Sequence, residues 1–356
     1  MVQLFLKPGA GVLALLLLMP AFAGARAPKA SPAADTPELL MDGGRRLTFE
    51  RSFNSAREVR SKRGFWTKLK DAALGEPEYR SLVRPYGVAE DSRGRIIVTD
   101  PGAYGVHIFD FAQQKYKFLS HREGEDPLLS PQCVAVDSQD NIYVTDSEAG
   151  KVFVFAADGK FVRVIGALKG GEGFFKRPTG IAVDSESQRI YVADTWRNQV
   201  FVLDMRGGVI RTIGKLGHTA GEFNMPTELR LEGEELAVLD AMNFRIQVFD
   251  RSGAFRYAFG EAGDGIAEMF RPKGLGMDAE GHFYIGDAFH NLVQVFDSQG
   301  KLLYYFGKAA GVGDFELPAG LSVDGSGRIL VVDSHNRRVQ VFHYFGAETR
   351  SAGGAP

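Results

Sequence analysis

The chain has 356 residues, 44% of them apolar, with 43 glycines and an aromatic content of 11%, a mix that suits one large core built from many turns and short strands and argues against long helices. Its 42 basic and 44 acidic side chains give a net charge of −2, which excludes the broad positive surface that nucleic-acid binding needs. A single cysteine, Cys133, excludes an internal disulfide, and no C-x-x-C-H is present to attach a c-type haem.

In chain order, residues 1–23 read as a secretory signal peptide: Lys7, the apolar run 12–19, then Pro20 and the small-residue site Ala21-Phe22-Ala23. The run is too short to span a bilayer comfortably; an uncleaved N-terminal anchor is the other reading. No cysteine lies beside the cleavage site to carry a lipid. Loss of Lys7 leaves 41 basic against 44 acidic side chains, a net of −3. The expected location is periplasmic or secreted, with no transmembrane segment after signal removal. Residues 24–45 read as a flexible linker. Residues 46–53, Arg-Leu-Thr-Phe-Glu-Arg-Ser-Phe, look like a β-strand of the kind that ends each later repeat. Residues 54–80 read as a connector in which Phe65, Trp66, Leu69, Ala73 and Leu74 fall near one face of a short helix. That helix is either a strap docked on the fold or, with Arg57, Arg60, Lys62 and Arg63 nearby, an interfacial or partner-binding helix.

From residue 81 to 346 one unit recurs, with starts at Pro85, Pro131, Pro178, Pro226, Pro272 and Pro318 and spacings of 46, 47, 48, 46 and 46 residues. A period in this range signals a propeller or a solenoid. The third unit shows the grammar: Pro178-Thr179-Gly180-Ile181-Ala182-Val183-Asp184, Arg189-Ile190-Tyr191-Val192-Ala193-Asp194, Gln199-Val200-Phe201-Val202-Leu203-Asp204 and Gly208-Val209-Ile210-Arg211-Thr212-Ile213-Gly214 are four strands joined by Gly, Asp and Ser. Four antiparallel strands in under 50 residues make one blade. The fold class is therefore all-β, a six-bladed β-propeller. The sixth unit lacks a fourth strand, and the predicted closure has residues 46–53 complete it, because an unpaired sheet edge invites aggregation. Residues 347–356 read as a disordered tail. Cys133, in the apolar Cys133-Val134-Ala135-Val136, reads as a buried thiol.

An Asp ends the second strand of each unit, a polar turn follows, and a V-x-V-F-like strand comes next: Asp240-Ala241-Met242-Asn243-Phe244-Arg245-Ile246-Gln247-Val248-Phe249 and Asp333-Ser334-His335-Asn336-Arg337-Arg338-Val339-Gln340-Val341-Phe342, with weaker copies from Asp100, Asp146, Asp194 and Asp287. This pattern resembles the NHL repeat family over roughly residues 84–345. The resemblance implies architecture far more than activity. It implies an exported adaptor or sensor with a protein partner in the cell envelope, multihaem cytochromes among the candidates.

Strand direction places each first-strand start and each second-strand Asp on one face, together with the long loops between blades. Tight turns such as Ser138-Gln139-Asp140-Asn141 and Ala157-Asp158-Gly159-Lys160 mark the other face. The long-loop face is the expected working face. Its six Asp are expected to bind local backbone donors and, in part, turn arginines, rather than a metal. The candidate partner-binding residues are the atypical turn residues Tyr104, Trp196, Arg197, Met242, Phe244, Arg245, Phe289, His290, His335, Arg337 and Arg338, of types that dominate binding hot spots; the other reading has several of the aromatics capping blade packing. The candidate channel residues are Tyr86, Gln132, Thr179, Thr227, Glu228, Arg230 and Lys273. Glu228 and Arg230 replace the usual Gly-x-Ala of a first strand, as a structural ion pair or as a ligand-binding pair.

The leading expectation is a monomeric, non-catalytic platform that recognises a protein or saccharide, with no cofactor. The alternative is a metal-dependent propeller enzyme, lyase- or lactonase-like, with its site at the channel. Peptide-amidating lyases bind zinc through three His at equivalent turns, where this chain has only His290 and His335; His107 lies on a strand, and His121 and His218 in blade-joining loops. Neither G-x-S-x-G nor a Ser-His-Asp arrangement is visible.

Overall fold

The computed structural model describes residues 37–41, 44–59, 79–120, 127–307 and 311–346. Residues 1–23, read as a signal peptide, the helix expected at 65–74, His121 and the tail expected at 347–356 lie outside the described residues. Six antiparallel sheets follow one another along the chain. Blade one is Val88–Glu90, Ile96–Asp100, Gly105–Asp110 and Lys115–Leu119; blade two is Pro131–Val136, Ile142–Asp146, Lys151–Phe155 and Phe161–Ile165. Blade three is Pro178–Asp184, Arg189–Asp194, Gln199–Asp204 and Val209–Ile213; blade four is Pro226–Glu232, Glu235–Asp240, Arg245–Asp250 and Phe255–Phe259. Blade five is Pro272–Met277, Phe283–Asp287, Leu292–Phe296 and Leu302–Gly307; blade six contributes Pro318–Val323, Arg328–Asp333 and Arg338–Phe345. No helix among the described residues is long and apolar enough to cross a membrane.

The second and third strands are largely apolar runs with buried centres, and Ile142–Asp146 and Lys151–Phe155 are buried along their whole length. Both faces of each are covered by neighbouring blades, so hydrophobic residues need not alternate with polar ones. Fourth strands face outward, and Val209–Ile213 is exposed except at its last residue. Apolar clusters fill the gaps between blades. Leu239, Ile246 and Val248 of blade four, for example, pack on Leu275, Phe283 and Ile285 of blade five.

Arg46–Phe53 completes blade six, pairing antiparallel with Arg338–Phe345 in a register that runs from Arg46 opposite Phe345 to Phe53 opposite Val339. A bulge between Phe49 and Arg51 breaks the alternation. Leu47 thereby packs in the cluster shared with blade five, whereas Phe53 packs in the cluster shared with blade one. One strand thus seals both faces of the last blade. Arg328 of blade six adds a latch, meeting Glu50 of the closing strand at 3.0 Å and Glu90 of blade one at 2.6 Å. The reading of residues 24–45 as a linker needs correction at one point: Glu38–Leu40 forms a further strand against Arg46–Thr48, so this sheet has five strands.

The innermost strands approach backbone to backbone. A Cβ on Gly320 would lie 2.4 Å from the Tyr86 carbonyl oxygen, and one on Gly180 would lie 2.8 Å from Glu228 Cα. Glycine recurs two residues after the Pro in four of the six blades, where a Cβ would meet the neighbouring inner strand. The Gly320 N–H donates to the Tyr86 carbonyl at 2.7 Å, fastening blade six to blade one. Blade one departs from the pattern, since its first strand begins at Val88 rather than at the Pro.

Candidate functional site

The six Asp that end the second strands are fully buried. Each ties the loop entering its blade to the turn that follows. Asp100 accepts from Val83 N at 2.7 Å, Arg84 N at 2.9 Å and Ala103 N at 3.0 Å. Asp287 accepts from Phe270 N and Phe289 N, both at 2.9 Å. Asp146 is bonded in the same way by Leu129, Ser130, Glu148 and Ala149, yet its burial holds its pKa above the ordinary value. These carboxylates organise loops.

The turn arginines divide by what they touch. Arg245 meets Asp240 at 2.9 Å and donates to the Thr219 and Glu222 carbonyls. Arg338 meets Asp333 at 2.7 Å, and Arg197 lies 3.6 Å from Asp194 with its guanidinium over the Phe174 ring. These three brace their own loops. His290 is half-buried, with Nδ1 3.3 Å from Asp287. Phe244 packs on the core between blades four and five. The remainder face solvent: Tyr104 is 62% exposed, Trp196 59%, Met242 50% and Phe289 50%. His335 is exposed beside Glu316, and Arg337 is exposed. Met225, Phe270 and Leu317, on the loops entering blades four, five and six, extend this apolar surface, and the Phe270 and Phe289 rings lie 4.3 Å apart. Sequence reading passed over those three because each sits in a blade-joining loop rather than in the repeated turn.

The fourth residue after each Asp has a positive φ in every blade: Tyr104, Gly150, Asn198, Phe244, Asn291 and Arg337. Gly and Asn adopt this conformation readily; Tyr, Phe and Arg do so at a cost. Three blades therefore keep a bulky side chain where the turn disfavours one.

The channel holds the tightest cluster of chemistry. In blades two to six the ladder is irregular just after the Pro, and bulges of this kind re-aim side chains. Glycine occupies the close-approach position in four blades; Cys133 and Glu228 replace it in blades two and four. These two residues meet across the axis, with Cys133 Sγ 2.9 Å from Glu228 Oε1. Arg230 Nη1 lies 3.1 Å from Glu228 Oε2, and Nη2 donates to the Leu321 carbonyl of blade six at 2.5 Å. The cluster bridges blades two, four and six. Burial raises the Glu228 pKa, with Arg230 and Cys133 opposing. Burial and the neighbouring carboxylate push the Cys133 thiol well up, so it stays protonated and donates its S–H.

Above this cluster lie Tyr86, Gln132, Thr179, Thr227 and Lys273, each one residue after a Pro. Lys273 Nζ stands 5.8 Å from the Tyr86 ring centroid, reaching past blade six, where the equivalent residue is only Ala319. Thr179 is bonded to Thr195 at 2.8 Å, and Gln132 to Ser130 at 2.9 Å. Of the expected channel residues, Glu228 meets Arg230 and Lys273 approaches Tyr86; the Cys133 contribution was hidden, because nothing local in sequence says that residues 133 and 228 meet. Among the described residues no group of three or more His, Cys, Asp or Glu stands together to hold a metal ion. A cavity of about 740 Å³ lies elsewhere, beside the tight turns of blades one and two, lined by Arg93, Arg95, Gln113, Lys115, Lys117 and Asp158 among others.

A family model described as a 6-bladed beta-propeller matches residues 125–194 and 186–250, and an NHL repeat model matches residues 315–342. No curated protein matches the chain by sequence. A gluconolactonase from Xanthomonas campestris is similar in structure at 16% identity and a TM-score of 0.57, over 89% of this chain and 99% of that one. Virginiamycin B lyase from Staphylococcus aureus is similar at 13% identity and a TM-score of 0.57, over 84% and 99%. A chain of a nidogen/laminin complex is similar at 16% identity and a TM-score of 0.53, over 80% and 97%. At such identities the likeness is one of fold.

Proposed function

We propose that this chain is an exported NHL-type propeller that recognises a protein or saccharide partner of the cell envelope through its long-loop face. The observation that carries the reading is the exposure of Tyr104, Trp196, Met242 and Phe289, with Phe270 beside Phe289, on turns whose carboxylates and arginines are consumed in bracing the loops. Large apolar side chains left in water on a rigid frame, Tyr104 at a backbone cost as well, are what a binding surface uses. The proposal is tested by a pull-down from periplasm or envelope with wild type and a Trp196→Ala/Phe289→Ala variant. Truncating two such anchors costs about 2 kcal/mol each where they are hot spots, whereas exposed positions change stability by only about 0.5 kcal/mol. Partner capture should be lost while the melting temperature stays near wild type; undiminished capture would mean the working face has been chosen wrongly. Charge reversal at Arg245 is unsuitable for this test, because its bonds to Asp240 and two loop carbonyls make it structural.

A catalytic site at the channel is the second reading. It is favoured by Glu228, a buried carboxylate of raised pKa on an inner strand, and by the lyase and the gluconolactonase among the similar structures being enzymes. The divalent cation of the lactonase-like version finds a poor donor set here, since Glu228 is already engaged by Cys133 and Arg230. One tight equivalent of zinc or calcium in the purified protein would favour this reading over the first.

A further inference from the structure

The mouth of the channel carries cations without counter-charges. Lys273 and Arg177 are partly buried while Arg84 and Arg271 are exposed, and among the described residues none of the four has a carboxylate within salt-bridge distance. Glu228, the carboxylate nearest in kind on the inner strands, is taken by Arg230 and Cys133. The Asp behind the loops are spent on backbone donors. The Lys273 contact that remains is the Tyr86 ring, and burial together with Arg271 lowers the Lys273 pKa. A half-buried ammonium with no acceptor is costly, and it persists where a ligand supplies the missing charge.

Other groups point to the same place. The Thr227 hydroxyl is buried and, among the described residues, unpartnered. The Tyr86 phenol is held above its ordinary pKa by burial, with Cys133 and Glu228 adding to the rise and the Arg177 charge opposing it, so it is a neutral donor. Arg177 also lies over the Trp196 ring at 5.3 Å, which links the mouth to the exposed aromatic surface. The arginines preceding the Pro fall in alternate blades: Arg84 in one, Arg177 in three and Arg271 in five.

We propose that the channel mouth is an oxyanion site that seats a carboxylate, sulfate or phosphate group of the ligand against Lys273, Arg177 and Arg271, with Tyr86 and Thr227 as neutral donors. It rests on the long-loop face being the working face and names the chemistry that face selects.

Equilibrium dialysis of the purified protein with radiolabelled phosphate, sulfate or citrate, in chloride buffer of fixed ionic strength, tests this directly. The expected result is saturable binding near one equivalent, weakened about tenfold or more in Lys273→Met and in Arg177→Met, the loss that follows from removing one hydrogen bond to a charged group. Preference for citrate over phosphate and sulfate would identify a carboxylate as the natural group, and the reverse a phosphate or sulfate. Absence of saturable binding by all three, or binding unchanged in both folded variants, overturns the proposal. The outcome is separable from the partner reading. Capture lost in Trp196→Ala/Phe289→Ala with no anion bound leaves the face and removes the anion site; anion bound with capture intact does the opposite.

Discussion

Arg230→Met is expected to lower stability by roughly 3 kcal/mol, near the lower end of the range for breaking a buried ion pair, because Arg230 itself retains some exposure. The loss comes from Glu228, which stays in the channel with Cys133 as its remaining partner and no counter-charge. Replacing both partners at once, Glu228→Leu with Arg230→Met, removes the charges together and should restore much of the stability. Chemical denaturation of the two single variants and the double variant gives the coupling. If the double variant were as unstable as the sum of the singles, the pair would not be an interacting unit.

The same carboxyl imposes a pH dependence with a definite sign. Burial raises its pKa in the folded chain above the unfolded value, so the folded state holds the proton more tightly. The stability this lends is fully present below the ordinary glutamate range and is lost as pH rises through the raised folded value. Glu228→Gln keeps the shape and removes the titration. Its stability profile should therefore lack that decline, and a profile parallel to wild type would assign the decline to another group.

Deleting residues 38–53 is expected to have the larger structural consequence, with loss of cooperative folding or aggregation at the exposed edge of Arg338–Phe345. Burial of Leu47 and Phe53 contributes about 2 kcal/mol each, and each ladder hydrogen bond of the closing strand about 1 kcal/mol. The sum is comparable to the whole net stability of a typical domain, about 5–15 kcal/mol. A synthetic peptide spanning residues 37–55 should bind the truncated protein and recover its melting temperature, since strand addition to an open edge needs no covalent link. A truncated protein that melts with wild type would show that closure by this strand is unimportant.

Much of this molecule was legible from residue order because a propeller repeats a local pattern. Pro at the start of an inner strand, Asp at the end of the next and turns of fixed length recur with each blade, and together they locate six sheets, two faces and the missing strand of blade six. Arg46–Phe53 was recognisable because it copies the outermost strands. The short strand Glu38–Leu40 was not, since three residues at a sheet edge carry no periodicity of their own. Within the candidate site, residue types alone could not separate Arg245 and Arg338, folded back on their own Asp, from Trp196 and Phe289, left in water.

The sequence by itself determined the number of blades, the placement of the faces and which positions depart from the repeat, because these follow from hydrophobic runs and turn residues spaced along one chain. Only the tertiary structure decided that two of the departures, Cys133 and Glu228, close on each other 95 positions apart and that Lys273 reaches Tyr86 past blade six. Those contacts arise where strands from different blades converge on one axis and bulges turn their side chains inward, a geometry that exists only once the ring has closed.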